Sequence, residues 1–239
     1  MPKTKATIKG VPVLEVIVCS VSDAIEAQRG GAHRLEIIRD FPSGGLTPSL
    51  ELVQDILDAV TLKVRVMLRE GDSYEVESAA EIERMCASAT SLARLNIDGV
   101  VLGFLRGGEI DVQLTERVLS YAPTLRGTFH HAFEEAKEQS EAIRALKQIK
   151  QVDRILTSGG TGEWPEKIAR LSQYAKEASP EIEILSGGGM DEQSIRTICQ
   201  TTSIREFHVG RAVREPESAI GVVRSERVKA LAETVQECA

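Results

Sequence analysis

Apolar and polar positions along this chain follow two alternating periods. Short runs with every second residue apolar predict strands at Val13 to Ser20 (VLEVIVCS), Arg34 to Ile38, Lys63 to Leu68 and Asp98 to Phe104. Between them, apolar residues three and four apart predict helices. These are Asp23 to Arg29 behind a Ser22 cap, a segment capped by Thr47 with Pro48 first and running to Val60, Val76 to Leu95, and Val112 to Tyr121. The second half continues with strands at Leu125 to His131, Asp153 to Ser158, the apolar run before Gly187, and Arg205 to Val209. Its helices fall at Ser140 to Lys150, Pro165 to Ala178, behind an Asp191 cap, and Ser225 to Gln236. Eight strands each followed by a helix predict an α/β fold, a (β/α)8 TIM barrel, as a single domain over 13–239 behind a polar lead at 1–12.

Side chains alternate across a strand, so residues two apart share a face. On that rule Glu15, Ile17 and Cys19 fall together, as do Arg34, Glu36 and Ile38, then Arg65, Met67 and Arg69, Thr128 and His130, and Glu206 and His208. The opposite parity is largely Leu, Val, Ile and Phe, as a helix-facing surface requires. The polar parity is therefore expected to face the barrel axis, with its ionisable groups meeting at one mouth. Barrel interiors are normally filled with Val, Ile and Leu, and a buried ion must be paired. Such a set points to chemistry or ligand binding; the alternative is a self-satisfied salt-bridge network plugging the barrel. His130 and His131 are adjacent, so only one can face the axis; parity selects His130 and leaves His131 to the loop.

Gly187-Gly188-Gly189 after the seventh strand and Gly210-Arg211 after the eighth place bare backbone N–H groups where barrels often hold phosphate. Gly188, Gly189, Gly210 and Arg211 are the expected anion-binding residues. Glu15, Arg65, His130 and His208 are the expected catalytic set, and Glu36, Arg69, Thr128 and Glu206 the expected ligand contacts. Cys19 and Met67 are the inward sulfur donors a metal could use.

Composition narrows the field. Hydrophobic residues make up 42% and charged residues 27%, as in a soluble globular chain, and the net charge of −7 argues against nucleic-acid or anionic-membrane partners. Four cysteines, Cys19, Cys86, Cys199 and Cys238, lie far apart without metal-ligand spacing and read as reduced thiols of a cytosolic protein. The lead MPKTKATIKG has no apolar core, and no run approaches a membrane span, so a cytoplasmic location is expected.

The segments LEVIVCS, GGAHRLEI, GGLTPS, VRVMLR, DGVVLGFL, TFHHAF, DRILTSGG, ILSGGG and REFHVGRA, in this order from Leu14 to Ala212, resemble the CutC family of copper homeostasis proteins. The resemblance implies a cytosolic, homo-oligomeric TIM barrel associated with copper tolerance and Cu(I) binding, with copper as the cofactor or cargo. It carries over Glu15, Glu36, Arg65, Arg69, His130, Glu206 and His208 as site residues. The family often has cysteines, proposed as Cu(I) ligands, where this chain has Ile17 and Ile38. It usually has aspartate at Cys19 and commonly arginine at His131.

Two functions fit. One is a copper-handling protein with His130, His208, Cys19 and Met67 as donors. The other is a barrel enzyme acting on a small anionic or phosphorylated metabolite by aldol cleavage, epimerisation or hydrolysis. In it Glu15 and His130 shuttle a proton and Arg65 or Arg69 orients the substrate. No lysine falls on the inward parity at a strand's end, which disfavours a Schiff-base route.

Overall fold

The computed structural model describes residues 11–239, so the first ten residues of the polar lead lie outside the described part. Eight parallel strands close into a barrel: β1 (Val13–Val18), β2 (Arg34–Ile37), β3 (Lys63–Met67), β4 (Gly99–Leu102), β5 (Arg126–Phe129), β6 (Val152–Thr157), β7 (Glu183–Ser186) and β8 (Glu206–Val209). Their order around the ring is β1-β8-β7-β6-β5-β4-β3-β2. Eight helices cover the outside: α1 (Val21–Arg29), α2 (Leu50–Ala59), α3 (Ala79–Leu92), α4 (Val112–Ser120), α5 (Gln139–Leu146), α6 (Trp164–Ala178), α7 (Glu192–Thr201) and α8 (Ser225–Gln236). Among the described residues, no helix is long and apolar enough to cross a membrane.

Parity decides which surface is which. Leu14, Val16, Val18, Leu35, Ile37, Val64, Val66, Val100, Phe129 and Phe207 are buried in the main core against the helices. Ile17, Ile38, Met67 and Val101 form a separate apolar cluster inside the ring, with Cys19 and Phe41 packed on it. The register sets Glu15 opposite both Arg34 and His208, and Glu36 opposite Ile17 and Arg65. Inward charges from neighbouring strands thus stand side by side.

Three local expectations give way to tertiary contacts. Ser20, not Ser22, caps α1, accepting from the Asp23 N–H at 3.1 Å. Ser49, not Thr47, caps α2. The Thr47 hydroxyl instead donates to the Arg69 carbonyl and accepts the Arg69 N–H, both at 2.9 Å, pinning that loop to the end of β3. The fourth strand stops at Leu102, and a ribbon of Leu105–Arg106 with Glu109–Ile110 turns through Gly107 and Gly108, which hold φ at 60° and 77° where a side chain would be strained. Asp191 does cap α7, in a reciprocal box with Ser194.

The expectation of four reduced thiols is also corrected. Cys199 at the end of α7 and Cys238 just beyond α8 are joined as a disulfide, their Cα atoms 5.5 Å apart, while Cys19 and Cys86 are free. Spacing could not show this, because packing of α7 against α8 is what brings together two residues 39 apart in sequence.

Unfolded without reductant, the protein is expected to titrate as two thiols, rising to four after reduction. Loop entropy puts the cost of Cys238→Ser at about 4 kcal/mol of stability. Four thiols without reductant would show that the staple does not form.

Candidate functional site

The inward polar residues are not gathered at one mouth. They divide along the barrel axis into a paired half and an unpaired half.

At the N-terminal end the charges satisfy each other. Arg65 is fully buried and spends its guanidinium on Asp153 at 2.8 and 2.9 Å, Asp98 at 3.1 Å and the Thr128 hydroxyl at 2.6 Å. Glu206 takes Arg154 at 2.6 and 2.8 Å and Arg34 at 2.8 Å, and Arg34 also donates to Glu15. Burial would raise the Glu206 pKa, but the two guanidiniums outweigh it and keep the carboxyl below its usual range. The expected mouth positions of Arg65, Thr128 and Glu206 are therefore corrected: these residues start their strands' inward rows at the far end, where they plug the ring. Asp98 and Asp153, which complete the plug, carry no signal in the parity pattern: each opens its predicted strand, and Asp153 falls on the parity opposite to Arg154.

Midway up, Glu15, His208 and Glu36 form a line. His208 Nδ1 lies 2.8 Å from Glu15 Oε1, and its Nε2 lies 3.4 Å from Glu36 Oε2. Burial opposes the ionised form of Glu15, yet Arg34 and His208 hold its pKa well below the carboxylate range; ionised Glu15 in turn helps raise His208. Glu36 behaves differently. Desolvation and the Glu15 charge push it up to about 7, against the pull of His208 and Arg34. Oxygen and nitrogen atoms of these three residues lie within 4.8 Å of one another, as around a cation. Both Glu15 oxygens, however, are already occupied by Arg34 and His208.

Above this line a cavity of about 420 Å³ opens at the C-terminal ends of the strands. Glu36 and His208 form its floor with Ile17, Ile38 and Met67, and Arg69, Tyr74, His130, His131, Gly188, Gly189, Gly210 and Arg211 form its walls and rim. Three buried atoms of these residues have no hydrogen-bond partner among the described residues: Glu36 Oε1, Arg69 Nε and His130 Nε2. Orphaned buried polar atoms are uncommon in folded proteins and mark where a ligand or water belongs. His130 Nδ1 accepts the Ala132 N–H at 3.2 Å, so the neutral ring carries its proton on Nε2. Burial, with the charges of Arg69 and His131, lowers its pKa to about 3, making Nε2–H a neutral donor at physiological pH.

Arg69 lies over the Tyr74 ring at 4.9 Å, and that ring sits 5.1 Å from His130, so an aromatic from the loop after β3 holds both groups in place. Periodicity gave no signal for Tyr74. The backbone N–H groups of Gly188, Gly189 and Arg211 have no partner among the described residues, and Gly188 and Gly189 hold φ at 85° and 78°. Cys19 is absent from the cavity lining; its sulfur sits 3.8 Å from the Arg214 guanidinium, and burial raises its pKa.

The CutC family model matches residues 12–213, nearly the whole ring. The chain belongs to the CutC family. It is 34% identical over 200 residues to the family protein CutC of Bacteroides fragilis (strain YCH46), covering 82% of this chain and 78% of the relative. A human relative, named copper homeostasis protein cutC homolog, is 31% identical over 209 residues, 87% of this chain and 76% of that protein. The crystal structure of a Streptococcus agalactiae CutC superposes with a TM-score of 0.77 at 26% identity, covering 83% of this chain and all but 2% of that one (98%). The CutC barrel is thus shared, while Ile17 and Ile38 sit in this chain's cavity floor.

Two outcomes follow from the pairing pattern. Because the folded pKa of Glu36 lies above its unfolded value, its protonated form stabilises the protein below about pH 4.5, and that contribution is lost as pH rises through about 7. Glu36→Gln is therefore expected to raise Tm relative to wild type at pH 8.5 and to leave it nearly unchanged at pH 4, read by differential scanning fluorimetry; equal offsets at both would refute the assignment. Arg65→Met removes the buried partner that Asp98 and Asp153 share, leaving Asp153 to Arg154 and Asp98 to Lys63, and should cost about 3 kcal/mol in urea unfolding.

Proposed function

We propose that the mouth cavity binds a small anionic metabolite and performs acid–base chemistry on it. The observation that carries this is the set of three unpartnered buried atoms, an acceptor on Glu36 and donors on Arg69 and His130, in residues lining one cavity. Arg34, Arg65, Arg154 and Glu206 at the other end of the ring are paired within the chain, whereas these three atoms are not.

Arg69 supplies the positive charge for a carboxylate or phosphate, and the free N–H groups at Gly188, Gly189 and Arg211 supply neutral donors on the opposite rim. His130 Nε2–H is suited to a developing oxyanion, since a neutral imidazole can donate there without first losing charge. Glu36, tuned near 7, can give or take a proton. Glu15 is too strongly acidic to shuttle protons and serves through His208 and Arg34 to set the field around Glu36. The floor of Ile17, Ile38 and Met67 excludes water beneath the reacting atoms and asks for an apolar face on the ligand.

The names of relatives associate CutC with copper homeostasis, and the donor set in this cavity does not fit tight Cu(I) binding. Cu(I) favours two or more soft sulfur ligands. The cavity offers only the thioethers of Met67 and Met190, and Ser186 Oγ already lies 3.7 Å from Met190 Sδ. Cytosolic residence and a homo-oligomeric state are carried in this reading from the family resemblance. Cytosolic disulfides are rare, so the thiol titration bears on the first.

Inorganic phosphate is expected to raise Tm, with about 2.7 kcal/mol of added stability at a hundredfold excess over its Kd. Arg69→Ala and Arg211→Ala should each shrink the shift, and a wild-type Tm indifferent to phosphate and sulfate would sink the reading. Equilibrium dialysis against Cu(I) with a competing chelator is expected to leave the protein without tight copper. One-to-one binding that withstands the chelator would restore the copper-handling function.

A further inference from the structure

His130 and His131 are neighbours with different surroundings. After β5 the chain turns into a 3₁₀ segment, His131–Glu135, and His131 comes to the rim of the mouth cavity with its side chain 39% exposed. Its Nδ1 lies 3.1 Å from Glu134 Oε1. Glu134 is itself clamped by the end of β6. The Thr157 hydroxyl donates to Oε1 at 2.9 Å, the Ser158 N–H donates to the same oxygen, and the Ser158 hydroxyl donates to Oε2 at 3.2 Å. Burial would raise the Glu134 pKa, but His131 and these donors lower it to about 2, leaving a fixed carboxylate at neutral pH.

A carboxylate only accepts, so a neutral His131 keeps its proton on Nδ1 and leaves Nε2 as a free lone pair at the cavity. This is the reverse of His130, whose backbone contact puts the proton on Nε2. One turn of chain thus presents a donor and an acceptor to the same space.

We propose that His131, oriented by Glu134, is a second acid–base residue of the mouth, placed to exchange a proton with a bound anion from a wall other than that of Glu36. The proposal rests on the anion-binding reading above. β2 and β5 stand three places apart in the ring of eight, so Glu36 and His131 reach the cavity from different sides. The step is a simple proton transfer: a C–H or O–H bond of the bound molecule breaks, its proton joins Nε2, and its electron pair stays on the molecule, where His130 Nε2–H can meet the resulting oxyanion. Glu36 in its acid form can return a proton, and nothing is oxidised or reduced. Glu134 is a positioning residue that acts only through His131.

The intact protein can be tested with diethyl pyrocarbonate, which acylates unprotonated imidazole nitrogens, and with nitrogen-15 NMR of its four histidines. The expected result is an Nδ1–H tautomer at His131 and the fastest acylation at its Nε2, mapped by peptide mass. Inorganic phosphate at about ten times its Kd should slow that reaction about tenfold. Glu134→Ala, which removes the acceptor, should abolish the tautomer bias, and Glu134→Gln, whose amide oxygen still accepts where Thr157 and Ser158 hold it, should retain it. A His131 that reacts no faster than His33, or whose tautomer is the same in Glu134→Ala, overturns the proposal. A fast His131 that phosphate fails to protect overturns the anion-binding reading instead, because the dyad would then stand without its ligand.

Discussion

Charge neutralisation inside a closed ring of strands is the constraint on which this molecule rests. A guanidinium as deeply buried as Arg65 survives only with its donors answered, and here Asp98, Asp153 and Thr128 answer them. Arg34, Arg154 and Glu206 repeat the solution beside it. The N-terminal half of the barrel is thus filled by an ionic plug where other barrels use aliphatic layers.

That plug gives the opposite end its chemistry. Charge is balanced below, so Glu15 stays ionised, His208 is drawn toward protonation, and Glu36 is left as the carboxyl that desolvation can lift toward neutrality. The apolar cluster of Ile17, Ile38, Met67 and Val101 keeps the dielectric low just above it. One network therefore supplies both stability and tuning, and a change in its lower half should be felt at the mouth through the field on Glu36 rather than through contact.

The ring and its inward parity were legible in the chain. Adjacent residues in VLEVIVCS or REFHVGRA, such as Leu14 and Glu15 or Phe207 and His208, differ so sharply in polarity that only one face can meet the helices, and alternation with helical periods leaves a parallel barrel as the economical fold. Parity pointed to His130 and left His131 to the loop, but the turn after β5 brings both to the cavity. Boundaries were less legible: Thr47 looks like a cap in sequence, but its hydroxyl is used by Arg69 in space.

Height along the barrel axis was hidden from the sequence. Parity says that Arg65, Glu206 and Glu36 all face inward, yet strand stagger decides that the first two end in ion pairs and the third beneath an open cavity. Contacts between residues distant in sequence were hidden for the same reason, among them Cys199 with Cys238, Arg65 with Asp153, and Glu134 with Ser158. A local pattern fixes the direction in which a side chain leaves its strand. What it meets there depends on where other strands and loops end, which packing of the whole ring alone determines.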